Sequence, residues 1–430
     1  MKRSAREVAA RVAHRVDRDR AYLPLVLDAE LDRAGLAAAD RGLATELSYG
    51  VFRRRTRLER ALAAHADRGT GRLDALTRAH LLVAAYQILF LDRVPARAAV
   101  HEAVGTLRRL RGPGLAGFAN ALLRRLADRG EPPLPAPGDA ASLAEIHSLP
   151  PWITARFVST FGLLEARALC EAFDAPSNPC VRANSLRTTT DALAARLGAE
   201  LPGARIAGHP LAPDALEIAG GGSPFAGAAY AEGLFIGQDA GAQVICRMLA
   251  PASGERILDA CAGLGGKTTY VAALAGPGAE VVAIDASPRK LELSQDHCRR
   301  LGTSGVTHVL GDLTAAGTIP GSFDRILLDA PCSGLGLLGR HPESRSTRTP
   351  EDVTSLSALQ ARMLAQVASA LRPGGTLVYA VCTLTEEEGP AQVRALLGAA
   401  PLALAEQRWL LPHRDRTDGF YVARMIRARS

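Results

Sequence analysis

The stretch RILDACAGLGGKTTYVAALAGPGAEVVAID at residues 256–285 decides the fold class of the chain. Its two short apolar runs, 256–259 and 281–285, have the length of buried strands, and the segment between them has helical spacing. Helical segments also separate further strands predicted at residues 306–310, 323–328 and 376–381. Apolar strands that alternate with helices are typical of a parallel sheet covered on both faces. The sequence therefore predicts an α/β, Rossmann-like domain with a doubly wound sheet.

Upstream of this domain the chain has a different character. Residues 4–127 carry apolar residues at helical spacing, such as Val8, Val12 and Val16, and no part of them has the pattern of a strand. The proline-rich run EPPLPAPG at 131–138 cannot continue a helix. We therefore predict three parts: an all-helical domain at 1–130, a helical and small α+β segment at 140–235 that binds substrate, and a catalytic domain at 236–430.

Composition limits the class of protein. Hydrophobic residues make up 47% of the 430 residues, which is ample for two or three cores. The longest strongly apolar stretch, 81–91, is far shorter than the roughly 20 residues of a membrane span, and the N-terminus lacks the apolar core of a signal peptide. The seven cysteines show no CxxC spacing, so we expect neither a disulfide framework nor a zinc site. The chain is expected to be a cytoplasmic monomer without a membrane segment or a metal.

Positive charge is concentrated in the helical part. Residues 1–130 contain 25 Lys and Arg against 14 Asp and Glu, a net charge of +11, whereas the rest of the chain has a net charge of −4. The densest basic runs are RRRTR at 53–57 and RRLR at 108–111. A single run of this kind is usually a solvated face. Two of them in a domain of charge +11 favour binding to nucleic acid.

The turn after the first strand, DACAGLGGKT at 259–268, has the features of a nucleotide site. Its glycines allow a tight turn and close approach of a ligand to the backbone. Asp285 ends the second strand, roughly 20 residues on, where a carboxylate can accept ribose hydroxyls. Asp312 follows the third strand and suits a hydrogen bond to an adenine amino group. The glycines of the turn do not match the G-x-G-x-x-G pattern of dinucleotide-binding enzymes. The turn also lacks the first glycine of a P-loop, so we exclude an ATPase.

Two cysteines follow neighbouring strands of the predicted sheet. Cys332 lies in DAPCSG at 329–334, and Cys382 lies in YAVCT at 379–383. Ligands of such sheets bind at the carboxyl ends of the strands, so both thiols are expected near a bound substrate. The other cysteines are expected to be small buried hydrophobes or, for Cys261, part of the cofactor turn through its backbone.

Several motifs together resemble a known family. The octapeptide DAPCSGLG at 329–336, the strand end at Cys382, the GGKT of residues 265–268 and DGFYVARM at 418–425 are similar to those of the RNA cytosine-5 methyltransferases. The helical N-terminal part resembles the RNA-binding antitermination factor NusB. The combination resembles the RsmB (Sun/Fmu) family of 16S rRNA methyltransferases over nearly the whole chain. The resemblance implies S-adenosyl-L-methionine as cofactor and RNA, most simply 16S rRNA, as partner and substrate.

The chemistry of that family explains the two thiols. Cytosine C5 is a poor nucleophile, so a thiolate first adds to C6 and creates an enamine that accepts a methyl group. A donor at N3 and a base for the C5 proton are also needed. In DNA cytosine-5 enzymes the cysteine after the fourth strand attacks, whereas in the RNA family the cysteine after the fifth strand does. The resemblance thus implies Cys382 as nucleophile, Cys332 as the residue that assists product release, and Asp329 as the contact to the cytosine N3/N4 edge.

The resemblance also implies a set of cofactor-binding residues. They lie in the glycine-rich turn and at the strand ends, and are Cys261, Ala262, Gly263, Leu264, Gly265, Gly266, Lys267, Asp285, Asp312 and Asp329.

The chain departs from the family pattern at three places. The family has AAPGGKT where residues 262–268 read AGLGGKT, and TCS where residues 381–383 read VCT. We expect these changes to be tolerated because the backbone and the thiol remain. Ser344-Arg345-Ser346 replaces apolar and aromatic residues, which bears on the RNA target. Two alternatives stay open: an RNA-binding or ribosome-assembly factor with a catalytically silent methyltransferase fold, and the same chemistry on tRNA.

Overall fold

The structure is a computed structural model that describes residues 3–66, 69, 71 and 73–429. Its Cα positions divide the chain into two compact units. The helical unit is Met1–Ala175 with Leu338–Arg348, and the sheet unit is Pro176–Leu337 with Thr349–Ser430. This division differs from the three parts predicted above, which stay a prediction about domains. Within the described ranges, no helix is both long enough and apolar enough to cross a membrane.

The first part of the helical unit folds as a series of helices. They are α1 (Ala5–Asp19), α2 (Leu23–Ala34), α3 (Ala38–Arg53), α4 (Arg55–His65), α5 (Ala75–Phe90), α6 (Ala96–Arg111), α7 (Pro113–Arg129), α8 (Ala140–His147), α9 (Pro151–Phe161) and α10 (Leu163–Asp174). Helix α1 begins at a capping box between Ser4 and Glu7, which satisfies two backbone N–H groups. Val8, Val12 and Val16 are fully buried, as their spacing predicts. The expectation of a helical N-terminal region is confirmed.

The sheet unit begins with a small antiparallel sheet. Its strands, in the order β2-β3-β1-β4, are β1 (Cys180–Ala183), β2 (Arg205–His209), β3 (Ala212–Ala219) and β4 (Phe235–Gly237). The accompanying helices are α11 (Thr190–Glu200), α12 (Ala228–Ala231) and α13 (Ala240–Leu249). Leu193 and Leu197 of α11 pack with Leu216 and Ile218 of β3 in a core of their own.

The rest of the sheet unit is built on a seven-stranded sheet of order β10-β11-β9-β8-β5-β6-β7. The strands are β5 (Arg256–Asp259), β6 (Glu280–Asp285), β7 (Val306–Leu310), β8 (Phe323–Asp329), β9 (Leu371–Val381), β10 (Leu402–Leu410) and β11 (Phe420–Arg427). The remaining helices are α14 (Gly266–Ala275), α15 (Pro288–Leu301), α16 (Ser344–Thr347), α17 (Pro350–Ser369), α18 (Pro390–Ala399) and α19 (Pro412–Asp415). The strands β5 to β9 pair in parallel, as predicted. Strand β11 pairs antiparallel with β9 on one side and with β10 on the other.

The parallel strands are covered on both faces, which explains their unbroken apolar sequences. In β8, Ile326 and Leu328 pack into one core cluster, while Leu327 between them packs into another. All three are fully buried. Because strand side chains alternate between faces, an apolar run of this kind requires a core on each side. The predicted Rossmann-like class is therefore confirmed.

The strand order reverses direction at β5. This strand pairs with β6 on one side and with β8 on the other. The chain therefore runs from β5 into one half of the sheet, through β6 and β7, and from β8 into the other half, through β9. Ligands of doubly wound sheets bind in the crevice that such a reversal opens at the carboxyl ends of the strands. The fold thus places the predicted cofactor turn, at 259–268, at the expected site.

The segment 338–348, which contains the departure from the family pattern at Ser344-Arg345-Ser346, is part of the helical unit. Arg345 is 3% exposed and donates hydrogen bonds to the backbone carbonyls of Arg53 (2.9 Å), His147 (2.7 Å) and Phe173 (2.8 Å). Its guanidinium also lies 3.4 Å from the Asp174 carboxylate. The unusual arginine therefore bonds to carbonyls that three helix ends leave without partners, and its place is structural.

We predict that Arg345→Met destabilises the helical unit by about 3–5 kcal/mol, because buried carbonyls and part of the Asp174 charge lose their donor. Amide hydrogen exchange of the residues in α8 to α10 measures this loss of stability within the helical unit. The control is Arg18→Met, whose guanidinium is 61% exposed and pairs with its neighbour Asp19. A change of less than about 1 kcal/mol, as is usual for surface positions, would contradict the prediction.

Burial of His80 predicts that the stability of the helical unit depends on pH. His80 in α5 is 5% exposed, and burial lowers its pKa from 6.5 to about 4. The unfolded chain therefore binds a proton more readily than the folded chain between these values. The contribution of neutral His80 to the free energy of unfolding is complete above pH 6.5. It falls by about 3 kcal/mol as the pH decreases from 6.5 toward 4.

Urea denaturation at several pH values checks this dependence. His80→Gln should flatten the curve between pH 6.5 and 4, whereas the exposed His101→Gln should leave it unchanged. An identical pH dependence in wild type and His80→Gln would show that His80 is not the responsible group.

Candidate active site

The two cysteines of interest lie side by side at the edge of the parallel sheet. Cys332 follows the end of β8, and Cys382 directly follows the end of β9. The strands are parallel neighbours in which Asp329 pairs with Ala380. The Sγ atoms of the two cysteines are 3.2 Å apart. The structure thus brings together the two thiols that the sequence predicts to share a site, and leaves both partly accessible.

The contact between the thiols affects their protonation. The hydrogen bond with Cys382, together with burial and the nearby charges of Glu388 and Asp329, raises the pKa of Cys332 well above its usual value. Cys332 is therefore a neutral thiol near pH 7. Its sulfur lies 3.2 Å from that of Cys382, a distance at which its S–H can donate a hydrogen bond to that sulfur.

An ion pair lies beside the thiols. The ammonium of Lys267, in the first turn of α14, contacts the carboxylate of Asp329 at the end of β8. Burial alone would lower the pKa of Lys267, but the charge of Asp329 and its hydrogen bond outweigh burial and keep this pKa above its usual value. Lys267 is consequently a permanent cation, and it holds one oxygen of Asp329 in a fixed direction.

The glycine-rich turn between β5 and α14 leaves space beside its backbone. Gly265 has φ of 81°, and a Cβ there would lie 2.3 Å from Oγ of Ser294, so only glycine fits. Gly263 also has a positive φ, of 55°, but a Cβ there would meet no atom closer than 4.0 Å. Helix α14 starts at Gly266 and directs its positive N-terminal end toward the turn. The turn therefore has the shape of a cradle for a ligand.

Asp285 and Asp312 occupy the ends of the next two strands. Asp285 accepts the N–H of Gly263 (2.9 Å) with one carboxylate oxygen and the N–H of Ser287 (2.9 Å) with the other. Each oxygen can accept one more hydrogen bond. Asp312 is exposed and accepts both the N–H and the hydroxyl of Thr314 with a single oxygen; these bonds lower its pKa. Both aspartates are thus fixed by local bonds while keeping acceptor sites.

The first aspartate of the turn has a different environment. Asp259 is 1% exposed and accepts the hydroxyl of Thr268 (2.7 Å), while its other oxygen, Oδ1, has no hydrogen-bond partner in the described chain. Burial raises the pKa of Asp259 to about 6. This edge of the sheet therefore gathers three carboxylates, Asp259, Asp285 and Asp329, together with one lysine, Lys267, which pairs with Asp329. The described residues contain no group of three or more His, Cys, Asp or Glu arranged to hold a metal.

Arg182 of β1 is a site residue that sequence reasoning missed. It is buried and donates to the carbonyl of Gly266 (2.7 Å), to the hydroxyl of Thr269 (3.0 Å) and to the side chain of Gln238. Its guanidinium also lies over the ring of Tyr270, 4.5 Å from the ring centroid. Burial lowers the pKa of Arg182 to about 10, so it stays charged at neutral pH. It ties the small sheet to the first turn of α14.

Glu388 is the second residue that the sequence did not reveal. It follows β9 and is fully buried. Its carboxylate accepts hydrogen bonds from Ser333, the residue after Cys332, and lies 3.3 Å from the hydroxyl of Thr383, the residue after Cys382. In the sequence it is the last of three consecutive glutamates, and no spacing distinguishes it from the other two.

The basic runs of the helical unit are mostly engaged in internal ion pairs. Arg54 pairs with Asp174 (2.5 Å), Arg55 with Asp17 (2.6 Å) and Arg57 with Glu131. These side chains are 14–20% exposed. The run RRRTR at 53–57, which the sequence singles out for nucleic acid, is thus largely structural, because acidic partners distant in the chain neutralise it.

An excess of positive charge lies elsewhere on the helical unit, around Glu30. The side chain of Glu30 is 1% exposed, and four arginines lie within 3.4 Å of its carboxylate: Arg3, Arg11, Arg15 and Arg33. Their side chains are 27–60% exposed. One carboxylate against four guanidinium groups leaves a net charge of +3. We call this set the Glu30 cluster.

Comparison with known proteins gives consistent matches to both parts of the chain. Residues 246–426 match the model of the family described as 16S rRNA methyltransferase RsmB/F, and residues 3–128 match the NusB family. The chain is 34% identical to a probable ribosomal RNA small subunit methyltransferase B of Synechocystis sp., over 99% of this chain and 100% of the relative. It is 30% identical to the protein of the same description from Bacillus subtilis, over 99% of both chains.

Solved structures show the same fold. A methyltransferase homolog protein from Pyrococcus horikoshii is 26% identical and superposes with a TM-score of 0.60, covering 67% of this chain and 98% of its own. NSun6 from Pyrococcus horikoshii, at 22% identity, superposes with a TM-score of 0.59 over 64% of this chain and 97% of its own. From the two family matches and the full-length relatives, we conclude that the chain belongs to the RsmB/F family of 16S rRNA methyltransferases and carries a NusB-family domain at its N-terminus.

Proposed function

We propose that this protein methylates C5 of a cytosine in small-subunit ribosomal RNA, with S-adenosyl-L-methionine as methyl donor and a covalent cysteine–C6 adduct as intermediate. The observation that carries the proposal is the 3.2 Å contact between Cys332 and Cys382 at the ends of adjacent parallel strands. A single thiol would suffice as a nucleophile. A second thiol in contact with the nucleophile suits a reaction in which the nucleophile must also be released from C6 at the end. The names of the full-length relatives support rRNA as substrate.

The residues of the sheet edge fit the cofactor. Bound S-adenosyl-L-methionine would supply a methyl group on a cationic sulfonium. The turn at 261–267 would face it with its backbone, Asp285 would accept its ribose hydroxyls, and Asp312 would accept its adenine amino group. Asp329 would line the same space from the end of β8. Three carboxylates around one lysine, Lys267, favour a ligand with positive charge.

Cys382 is the nucleophile of the proposed reaction. Its thiolate forms a bond to C6, the electron pair of the C5–C6 double bond moves to C4–C5, and the C4–N3 pair moves onto N3. The resulting enamine thus carries the negative charge of the thiolate on N3. Asp329, oriented by Lys267, contacts the N3/N4 edge of the base, where the amino group is a donor. The C4–C5 electron pair of the enamine would form the new bond to the methyl group as the bond from that group to the sulfonium breaks, and the charge on N3 would return to the C4–N3 double bond. C5 would then carry both the methyl group and its original proton.

Cys332 assists the release of the product. In the adduct, Cys382 is a neutral thioether, and its sulfur is a much weaker acceptor for the Cys332 S–H than a thiolate is. The contact that most strongly raises the pKa of Cys332 is then weakened, so Cys332 loses its proton to solvent more readily. It can accept the C5 proton as the C6–sulfur bond breaks, which restores the aromatic ring and the Cys382 thiolate.

We predict that Cys332→Ala accumulates a protein–RNA adduct with unmodified 16S rRNA and S-adenosyl-L-methionine, since the attacking thiol remains and the releasing thiol is lost. Denaturing gel electrophoresis detects the adduct as a slowly migrating species. Cys382→Ala and the double variant are the controls and should show none. An adduct that requires Cys332 would reverse the two roles.

The same preparation distinguishes the alternative functions. Bisulfite sequencing of 16S rRNA and of tRNA incubated with the wild-type protein identifies the methylated RNA. 5-Methylcytosine in tRNA alone would change the substrate. The non-catalytic assembly factor would be favoured by three negative results together. These are no 5-methylcytosine, no adduct with any RNA, and no binding of S-adenosyl-L-methionine in calorimetry.

The Glu30 cluster is the proposed RNA contact of the helical unit. Each of its four guanidinium groups has five N–H donors, and the bonds to Glu30 use few of them. Phosphate oxygens match the guanidinium fork and would neutralise the excess charge. The buried carboxylate of Glu30 then acts as a fixed centre that holds the arginines close together despite their repulsion.

We predict that the double substitution Arg11→Gln/Arg33→Gln weakens binding to 16S rRNA about tenfold or more and lowers the slope of log affinity against log salt by about 2. Filter binding at several salt concentrations measures both. The matched control is Arg18→Gln/Arg167→Gln, in which each exposed arginine pairs with one acid, Asp19 or Glu171. Equal slopes in the two double variants would exclude the cluster as an RNA contact.

A further inference from the structure

We infer that Glu388 is a positioning residue that fixes the two cysteine-bearing loops against each other and so sets the geometry of the thiol pair. This inference rests on the proposed function for its catalytic meaning, but its geometric content can be tested without it. Beyond the effect of its charge on the pKa of Cys332, Glu388 has no part in the cofactor or nucleophile machinery described above. Its role follows from the bonds that its buried carboxylate makes on both sides of the site.

The first set of bonds holds the loop of Cys332. The N–H of Ser333 donates to Oε1 of Glu388 at 2.8 Å, and the hydroxyl of Ser333 donates to Oε2. Ser333 is therefore held by backbone and side chain at once. On the other side of Cys332, the amide of Gln360 in α17 donates both to the carbonyl of Pro331 (2.8 Å) and to Oε1 of Glu388 (3.1 Å). The residues before and after Cys332 thus share one anchor.

The second set of bonds holds the loop of Cys382. The hydroxyl of Thr383 lies 2.7 Å from the hydroxyl of Ser333 and 3.3 Å from Oε2 of Glu388. Since the Ser333 hydroxyl proton is used on Glu388, the Thr383 hydroxyl donates to Ser333. The hydroxyl of Thr385 donates to Oε2 of Glu388 at 3.0 Å, and the phenol of Tyr379 in β9 donates to the Glu388 carbonyl at 2.6 Å. The loop of Cys382 is consequently bound to the same carboxylate.

The environment of Glu388 indicates function rather than stability as the reason for the charge. Glu388, Ser333, Thr383, Thr385 and Gln360 are all fully buried. Among the described residues, no cation forms an ion pair with Glu388, so neutral donors alone stabilise its carboxylate. Burying a charge in this way is costly, and apolar residues would pack the same space at lower cost. The cost is offset by the rigid link between two loops whose thiols must stay in contact.

We expect Glu388→Ala to lower kcat for 5-methylcytosine formation about 100-fold, as is typical when reacting groups move by about 1 Å. Calorimetric affinity for S-adenosyl-L-methionine and filter-binding affinity for RNA should stay within about twofold, because Glu388 touches neither the turn at 261–267 nor the Glu30 cluster. Glu388→Gln keeps one acceptor oxygen and should restore part of the rate. Glu387→Ala, at the exposed neighbouring glutamate, is the matched control and should be unchanged.

A second readout does not depend on catalysis. Phenylarsine oxide forms two As–S bonds with a pair of thiols and releases water, so it captures only thiols that are held close together. Wild type and Glu387→Ala should bind one equivalent at Cys332 and Cys382, as judged against Cys332→Ala. Glu388→Ala should bind phenylarsine oxide at least about tenfold more weakly than wild type does. If wild type makes no 5-methylcytosine, this readout still decides the role of Glu388.

Two outcomes would overturn the inference. One is a Glu388→Ala protein whose kcat and arsenical affinity both equal those of the wild type. The other is a loss of kcat with unchanged arsenical affinity, since the thiols would then be in place without Glu388. If Glu388→Ala does not fold, Thr383→Val removes one of the ties to the Cys382 loop, that of the Thr383 hydroxyl, at nearly constant volume. That variant should reproduce both losses in weaker form, and wild-type values would overturn the inference equally.

Discussion

The parallel pairing of β8 with β9 is the constraint on which the rest of the site depends. The carboxyl ends of neighbouring parallel strands meet at one edge of a sheet, about 4.8 Å apart. In this register Asp329 lies opposite Ala380, and the loops that follow bring Cys332 and Cys382 into contact. A slip by one residue would turn every side chain of one strand to the opposite face. The apolar residues that bury both faces of the sheet therefore also determine whether the two thiols meet.

Electrostatics at this edge follow from the same arrangement. Parallel strands deliver Asp259, Asp285 and Asp329 to one place, and the first turn of α14 supplies Lys267. The hydrogen bond with Cys382, burial, and the negative charges of Glu388 and Asp329 raise the pKa of Cys332 and keep it protonated. The site thus distinguishes two chemically identical side chains by their neighbours alone. A difference of this kind is required of any pair in which one thiol attacks while the other waits.

The sequence predicted the parts of the molecule that local pattern determines. Strand lengths, the glycine-rich turn and the position of each cysteine after a strand can all be read over a few residues. The antiparallel strand β10 escaped prediction because most of its residues are exposed, so no pattern of buried apolar residues marks it. Glu388 could not be distinguished within EEE at 386–388, because its partners Ser333 and Gln360 are 55 and 28 residues away. The basic run at 53–57 suggested a binding face, whereas its distant acidic partners make it structural.

Arg345 shows that the helical part is not simply an independent domain joined to the front of a methyltransferase. Its hydrogen bond to the carbonyl of Arg53 spans 292 residues of sequence. The chain leaves the sheet unit after Leu337, just beyond the loop of Cys332, contributes 338–348 to the core of the helical unit, and returns at Thr349. A ribosome that has made only the first 175 residues has therefore made a helical unit whose helix-end carbonyls still lack their donor. Long-range contacts of this kind form late and slowly. The helical unit therefore reaches its full stability only after the strand that carries the first cysteine loop has been synthesised.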